Sequence, residues 1–286
     1  MTTSTTTAAT TAARPVPRAA DPYASRPDYG AARFLHRLNP LALLAAPLPA
    51  TIALILARDV ATPLAFLVLG LLLIAVGAHL SARAAIGLFI GIPLFAALMS
   101  LSFGLWADSS RVDTSVVLFA VGDYRFYLGS YLTGLATALR LSAIMALAIT
   151  AGIAATGPDL VRSMVQHLRV PYRIGYTALA AFRFVPRFGH ELEVIRSAHR
   201  VRGMTGGRGP IAGIRRQLGY VVPLLAGAIR HAERVALAMD ARAFGAHRTR
   251  TERYLVPFRV RDVVFVLLFW ALSAAVILVI SRLDLP

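Results

Sequence analysis

The sequence contains no cysteine and no lysine. Without cysteine, disulfides, thiolate chemistry and cysteine-based metal sites are excluded. Without lysine, a conventional P-loop ATPase is excluded, because the Walker A loop places a lysine on the nucleotide phosphates. Acidic residues are also few: 14 Asp and Glu stand against 30 basic residues, all of them arginine. Such a balance can indicate nucleic-acid binding, but the long apolar runs favour basic loops on the cytosolic side of a membrane. We therefore expect no nucleic-acid partner.

Apolar residues dominate the composition. They make up 57% of the 286 residues, while charged residues make up only 15%, and the mean hydropathy is +0.65. A typical soluble domain has more charge and fewer apolar residues. We predict an all-α, multi-pass protein of the cytoplasmic membrane, with the lipid bilayer as a partner. About five transmembrane helices are joined to a cytosolic bundle of long helices.

Five apolar runs predict the membrane spans, because a helix needs about 20 residues to cross the hydrocarbon core. They cover about residues 41–57, 61–79, 84–106, 132–156 and 263–281. The first four belong to a transmembrane module, residues 33–156, and the fifth forms the last transmembrane helix within residues 262–286. Residues 1–32 lack apolar periodicity and are predicted to be a disordered cytosolic tail.

The segments between the spans predict the orientation. Residues 157–261 carry 19 arginines and six acids, so the positive-inside rule assigns this block, and with it the N-terminus, to the cytosol. Residues 107–131 then form an extracellular segment, read as a small hairpin around Gly122-Asp123 or as an interfacial loop. Within the basic block we predict helices over 158–169, 174–202 and 214–244. Pro186 would kink or break the second helix. The third is alternatively an extra span.

Two helices of the basic block have an apolar stripe that ends in an arginine. One stripe leads to Arg202 and the other to Arg242, at the spacing of residues that share a helix face. Gly203 follows the first and Gly245 lies just beyond the second, which indicates helix ends. Each arginine either complements the negative end of its helix or enters an acidic pocket on a partner. Two copies in one block favour the second interpretation.

Two further charged residues stand out from their surroundings. Arg140 lies inside the fourth apolar run, where an ionisable residue suggests a functional site. The alternative is a structural contact with an aspartate or with backbone carbonyls. Asp159 belongs to the segment TGPDL, residues 156–160, in which a proline and an acid predict a helix start.

No catalytic or metal-binding constellation is evident. The seven histidines form no H-x-x-x-H or HExxH pair. The predicted spans contain no acid, so an intramembrane hydrolase has little from which to build a dyad. We expect no metal, no cofactor and no enzymatic activity. A self-contained secondary transporter remains an alternative, and an intramembrane enzyme is a weaker one. Such a transporter would predict inverted repeats, and none is clear.

Several segments together resemble a known family, the transmembrane T component of energy-coupling factor (ECF) transporters. They are FLHRLNP at residues 34–40, ATALRL within the fourth span, TGPDLVRSMVQHLRVP, AAFRFVPRFGHELEVIRSAHRVRGM and AERVALAMDARAFGAHRTR. These transporters are ABC-type uptake systems for vitamins and metals. The resemblance covers about residues 33–280.

The resemblance implies which residues bind the ATPases. The family carries two Ala-Arg-Gly motifs at the ends of its coupling helices. Here they correspond to Val201-Arg202-Gly203 and Ala241-Arg242-Ala243. Both depart from the pattern, since Val201 replaces alanine and Ala243 replaces glycine. Because alanine tolerates positive φ poorly, we expect the second helix to continue to Gly245. We predict supporting roles for Arg200, Asp240, Gly245, Arg140 and Asp159.

The resemblance also implies the partners. Two cytosolic ABC-type ATPase subunits, as a homodimer or a heterodimer, would receive Arg202 and Arg242 in acidic grooves. The membrane spans would hold a separate substrate-binding S component. Closure of the ATPases would then move the coupling helices and tilt the S component. The chain itself would bind neither ATP nor the transported substrate.

Overall fold

The computed structural model describes residues 33–57, 59–107, 113–121, 124–203 and 209–283. The predicted tail at residues 1–32 lies outside the described residues, as do the turn Gly122-Asp123 and most of the predicted loop after Gly203.

Helices make up most of the described chain. A 3₁₀ helix, Phe34–Arg37, is followed by α1 Pro40–Ala45, α2 Leu48–Leu56, α3 Ala61–Gly77, α4 Ala82–Trp106, β1 Val117–Val121, β2 Tyr124–Tyr127, α5 Leu128–Ala154, α6 Gly157–His167, α7 Tyr172–Val201, α8 Pro210–Asp240 and α9 Val260–Leu283. The prediction of an all-α membrane protein is confirmed, with one small hairpin added.

Three of the described helices, α4, α5 and α9, are long and apolar enough to cross a membrane. The two predicted spans before them are shorter: α3 has 17 residues, and the segment Pro40–Leu56 is split into α1 and α2. The split falls at Ala46 and Pro47, because proline has no N–H to continue the helical ladder. The long amphipathic helix α8 is not among the three, so the alternative of an extra span gains no support.

Helix starts follow the local sequence. The side chains of Asn39, Ser81 and Thr156 cap α1, α4 and α6 by accepting backbone N–H groups of the first turns. Thr156 accepts from the amide of Asp159 at 3.3 Å and donates to its carboxylate at 2.7 Å. Pro158 occupies the first turn, where a missing N–H is harmless. The helix start predicted from TGPDL is confirmed.

The chain forms two compact units. One contains residues 180–239, which include most of α7 and α8. The other contains the remaining described residues, 33–179 and 240–283.

In the unit with the apolar helices, α4 and α5 pack most extensively. The two helices approach closely at Gly134, whose position leaves no room for a Cβ beside the backbone of Ser100 and Gly104. Small residues allow helix backbones to approach in this way within membranes. A buried cluster of α2–α5 and α9 surrounds Phe66, Leu147 and Phe269.

A polar node is buried in the same unit. The backbone amide of Asn39 donates to Asp262 Oδ1 at 2.7 Å, and its side chain accepts from Ser163 Oγ at 2.6 Å and donates to the carbonyl of Val256 at 3.2 Å. The other carboxylate oxygen of Asp262 accepts from the amide of Arg259 at 2.6 Å. Asp262 and Ser163 are fully buried. The node therefore joins the starts of α1 and α9 to α6.

The hairpin before α5 pairs β1 and β2 in antiparallel register, with Phe119 opposite Phe126. Their rings stack with centroids 4.9 Å apart. The predicted hairpin is present, and its extracellular location remains a prediction.

The unit of residues 180–239 packs α7 against α8 through rings. Phe184 meets His231 edge-on at 4.3 Å, and His199 meets Tyr220 at 5.1 Å. Of the predicted kink or break at Pro186, the break is wrong, since α7 runs through this residue as one helix, and the kink remains a prediction. Proline removes one hydrogen bond there, and the flanking turns retain theirs.

Candidate coupling site

The first predicted motif lies just beyond the end of α7. The last helical residue is Val201, and the amide of Arg202 still donates to the carbonyl of Ala198 at 3.1 Å. Gly203 has a φ of 69° and donates to the carbonyl of Arg200 at 3.1 Å. A glycine in the left-handed region is the usual way to end a helix. The helix end predicted from Gly203 is confirmed.

The second motif follows the end of α8. We expected α8 to continue to Gly245, and this is wrong: the helix ends at Asp240, and residues 241–245 form consecutive turns. Ala243 itself has a φ of 53°, and its amide donates to the carbonyl of Asp240 at 2.9 Å. Gly245 follows with a φ of 91°. An alanine thus occupies the position at which the resemblance predicted glycine, at a cost of about 1–2 kcal/mol.

The start of α7 holds this turn in place. Phe244 lies between two rings, with centroids 5.7 Å from Tyr172 and 6.5 Å from Tyr176. The guanidinium group of Arg173 donates to the carbonyl of Gly245. The hydroxyl of Tyr172 donates to the carbonyl of His247 at 2.5 Å. These contacts offset the strain at Ala243, because they fix the residues that follow it.

The segment after the turn packs on the same side of α7. The guanidinium of Arg250 stands 4.4 Å from the ring centre of Tyr176 and 5.6 Å from that of Phe244, within the range of cation–π attraction. Tyr176 donates to Glu252 Oε2 at 2.5 Å. Burial raises the pKa of Tyr176 to about 12, and the hydrogen bond and negative charge of Glu252 act in the same direction.

Sequence reasoning did not identify these supporting residues. Tyr172 and Tyr176 are four residues apart and so share one face of α7. This spacing alone is also typical of ordinary core packing, and nothing in the sequence indicated that the partner would be Phe244.

Arg202 and Arg242 are both exposed. Within the part of the chain that the structure describes, neither guanidinium has a hydrogen-bond or ion-pair partner. Val201 beside the first is 89% exposed, and Ala241 beside the second is also exposed. An exposed guanidinium that is always charged can bind a carboxylate through two parallel hydrogen bonds.

The predicted supporting residues divide between different places. Asp240 and Gly245 flank the second motif, and Arg200 precedes the first, donating to Ser197 Oγ at 3.0 Å. Asp159 is buried in the first turn of α6 and pairs with Arg162 at 2.9 Å. Asp159 thus contacts the helix cap Thr156 and Arg162 within its own helix, and its supporting role at the motifs remains a prediction.

Arg140 makes a structural contact inside the chain. Its guanidinium donates to the carbonyl of Ala57, at the end of α2. Asp59 lies in the following loop, where burial raises the pKa of its carboxyl group. Hydrogen bonds from Thr62 and the positive charge of Arg140 outweigh burial, so the pKa is lowered overall. The arrangement matches the alternative of a contact with carbonyls, and any coupling role of Arg140 remains a prediction.

The two motifs belong to different units: Arg202 to residues 180–239, and Arg242 to the other. Among the described residues, no three His, Asp or Glu side chains come together as a metal site.

Comparison with known proteins identifies the family. The family model CbiQ, described as cobalt transport protein, matches residues 31–252. The chain is also similar to three curated proteins, each of which is called "energy-coupling factor transporter transmembrane protein EcfT". The protein of Bacillus subtilis is 24% identical over 48% of this chain and 54% of its own length. The protein of Limosilactobacillus fermentum is 30% identical over 49% and 53%, and that of Streptococcus thermophilus is 25% identical over 84% and 92%.

The chain thus spans about half the length of the first two of these relatives. The family match is broader, because it includes both arginine motifs, the polar node up to Ser163 and the aromatic support of the second turn. The chain belongs to the CbiQ family of cobalt transport proteins.

Proposed function

We propose that the chain is the transmembrane scaffold subunit of an ECF-type uptake transporter for a vitamin or a metal. It couples ATP hydrolysis by two cytosolic ABC-type ATPase subunits to movement of a membrane S component. It performs no catalysis itself. The observation that carries the proposal is the pair of exposed arginines, Arg202 and Arg242, each just beyond the end of a long helix and without a partner among the described residues. The names of the curated relatives support the same role.

Each arginine enters an acidic groove on one ATPase. Both guanidinium groups are free to bind, so docking breaks no ion pair within the described chain. Once the groove excludes water, a bidentate pair with a carboxylate fixes the helix end in orientation as well as position. Removing one partner of such a desolvated pair costs about 2–5 kcal/mol.

A continuous series of contacts links the turn at Arg242 to the apolar helices and could transmit motion between them. Phe244 and Gly245 rest on the first turns of α7. Further along the chain, Gln166 of α6 donates to the carbonyl of Tyr254 at 2.8 Å and accepts from the amide of Val256 at 2.9 Å. Val256 in turn contacts the polar node that joins α1, α6 and α9. Such a series of contacts supports transmission, which the variant Asn39→Ala tests.

The proposed orientation places the N-terminus and residues 157–261 in the cytosol, on the side of the ATPases. The hairpin lies on the extracellular side. Residues 157–261 contain 19 arginines but only six acids, and this excess of positive charge supports the orientation.

The test is a pull-down from detergent extracts of cells that contain the ATPase subunits. Tagged wild type is compared with the double variant Arg202→Glu/Arg242→Glu, and folding is checked by elution profile. The matched control is Arg215→Glu/Arg248→Glu, which reverses two exposed charges on α8 and on the segment after it. We expect wild type and control to retain an ATPase pair, and the double variant to lose it.

Other outcomes have definite meanings. If the wild-type protein retains no ABC-type ATPase, the proposed function is wrong. Retention by all three proteins contradicts the role of the two arginines. Equal loss in both variants shows that general positive charge, rather than these two side chains, binds the ATPases.

A further inference from the structure

A groove of about 550 Å³ lies between α7 and α8, within the unit of residues 180–239. Its volume is in the range of about 300–1,000 Å³ that is typical of small-molecule sites. Apolar side chains line the floor, with Phe184 and Ala228 partly buried and Val185 and Phe188 more open. Val185 is 62% exposed and Phe188 39% exposed. Water in contact with this surface is unfavourable, so an apolar group that covers it is stabilised.

The rim of the groove is strongly basic. Arg187 of α7 and Arg230 and Arg234 of α8 line it, and Glu191 is the acid among the lining residues. All three guanidinium groups are exposed and, in the described part of the chain, have no ion-pair or hydrogen-bond partner. The rim therefore carries more positive than negative charge beside an apolar floor.

The combination defines the ligand class. An apolar peptide would cover the floor and leave three guanidinium groups unpaired. A free phosphate compound would bind the rim and leave the floor exposed. A molecule with an extended hydrocarbon chain and an anionic head group satisfies both requirements.

We propose that this groove binds an acidic phospholipid, with an acyl chain over Phe184, Val185, Phe188 and Ala228 and the phosphate group among Arg187, Arg230 and Arg234. A phosphate diester offers the guanidinium groups unesterified oxygens in a geometry that suits paired hydrogen bonds. The site differs from the arginine motifs at the helix ends and requires no protein partner.

The test is native mass spectrometry of the full chain in detergent, with phosphatidylglycerol and phosphatidylcholine of identical acyl chains. We expect wild type to retain phosphatidylglycerol on the order of tenfold better, because each nearby arginine strengthens binding to an anionic head group. The variant Arg187→Gln/Arg230→Gln/Arg234→Gln should lose this preference. Ala228→Trp, which fills the floor, should lower retention of both lipids.

The matched control is Arg196→Gln/Arg200→Gln/Arg216→Gln. It removes three exposed arginines from the same two helices, around a neighbouring concavity beside Tyr220. The control should keep the lipid preference of wild type. Folding of each variant is checked by elution profile and thermal unfolding. If the groove triple variant fails to fold, the Ala228→Trp variant still tests the site.

Four results would overturn the proposal. Equal loss of preference in both triple variants indicates diffuse attraction to charge. Equal retention of the two lipids by wild type shows that the rim does not select anions. Unchanged lipid retention in Ala228→Trp shows that the acyl chain lies elsewhere. Competition by glycerol phosphate at the same concentration as the lipid points to a free phosphate compound. None of these results bears on ATPase binding, so this proposal and the proposed function fail separately.

Discussion

Ala243 is the residue at which the second arginine motif, Ala241-Arg242-Ala243, departs from Ala-Arg-Gly. Its φ of 53° lies in the left-handed region, where a Cβ is crowded by the neighbouring carbonyl. The turn keeps this shape because Phe244 and Gly245 are fixed by the start of α7. Sequence reasoning treated Ala243 alone, as a residue that resists a turn, and so extended the helix. The forces that decided the shape came from residues about 70 positions away.

Substitutions at Ala243 should report this strain. We expect Ala243→Gly to leave stability unchanged or to raise it by up to about 1 kcal/mol, because glycine adopts positive φ freely. Ala243→Val should lower stability by about 1–2 kcal/mol, because β-branching adds crowding. Thermal unfolding in detergent measures both. Ala246→Val is the control, at an exposed position three residues on, and should change stability by less than about 0.5 kcal/mol. Equal losses in the two valine variants would refute the strain.

Tyr176 predicts a dependence of stability on pH. Its pKa is about 12 in the folded chain and 10.0 in an unperturbed tyrosine. A raised pKa stabilises the fold below pH 10, and this stabilisation disappears as the pH rises through 12. The expected loss is only about 0.5–1 kcal/mol, because solvent screens a partly exposed group.

Unfolding of wild type and Tyr176→Phe at pH 9 and pH 11 measures this loss. The decrease in the free energy of unfolding from pH 9 to pH 11 should be smaller in the variant. Absorbance titration of tyrosinate gives an independent reading: Glu252→Gln should lower the pKa of Tyr176 without abolishing the shift, because burial is the larger cause. An identical decrease in stability in wild type and Tyr176→Phe would show that Tyr176 does not cause the pH dependence.

At the scale of elements, the polar node explains a segment that sequence reasoning could only match to the family. FLHRLNP ends in Asn39, which both caps α1 and binds α6 and the segment before α9. The cap was foreseeable, because asparagine before proline is a common helix start. The long-range partners were not, since a buried hydrogen bond between residues 39 and 262 leaves no periodic trace in the sequence.

We expect Asn39→Ala to destabilise the chain by about 2–4 kcal/mol. The substitution removes a helix cap and leaves the buried hydroxyl of Ser163 without its acceptor. Thermal unfolding measures the loss, and weaker ATPase-dependent transport in the assembled complex would support transmission through the node. The control is Ser142→Ala, because Ser142 is also fully buried but, among the described residues, its hydroxyl bonds only the carbonyl of Ala138 in its own helix. A cost for Asn39→Ala no greater than for Ser142→Ala would argue against the node.

The contact of α4 with α5 makes a second prediction at this scale. A Cβ at Gly134 would collide with the backbone of Ser100 and Gly104, which cannot move aside as a side chain can. We expect Gly134→Ala to cost about 1–3 kcal/mol, measured as a fall in unfolding temperature. Gly152→Ala on the same helix is the control, since a Cβ there meets nothing within 4 Å, and it should be neutral or stabilising. Similar effects of the two substitutions would contradict the close approach.

At the scale of the whole molecule, hydrophobicity and charge were sufficient to predict the class. Apolar runs marked α3, α4, α5 and α9 to within a few residues, because length and apolar content directly determine whether a helix can cross a bilayer. The first span was less well predicted, because its composition is apolar throughout and only two prolines, Pro47 and Pro49, mark the interruption. Similarly, the arginine motifs were visible in the sequence, whereas the lipid-sized groove depends on which faces of α7 and α8 meet.

The absence of native cysteine makes the proposed orientation directly testable. We expect Ser115→Cys, before β1, to react in intact cells with a membrane-impermeant maleimide. Ala246→Cys, after the second motif, should react only once the membrane is permeabilised, because the positive-inside rule places this block in the cytosol. Gel-shift labelling measures both, and the cysteine-free parent gives the background. The reverse pattern would invert the topology, and labelling of both sites in intact cells would contradict a single orientation.

The bond between Asn39 and Asp262 also bears on how the protein is made. The two residues are 223 positions apart, so the amide of Asn39 cannot meet its acceptor until the ribosome has synthesised nearly the whole chain. Until then, the side chain of Asn39 has its cap on α1, Ser163 and water as partners, but its backbone amide lacks the carboxylate acceptor. Nascent chains that stop before α9 would hold an unfinished polar cluster, and such defects favour recognition by cellular proteases. Insertion of the last helix therefore completes the polar node. Chains truncated before α9 cannot take this step and would be degraded in preference to full-length ones.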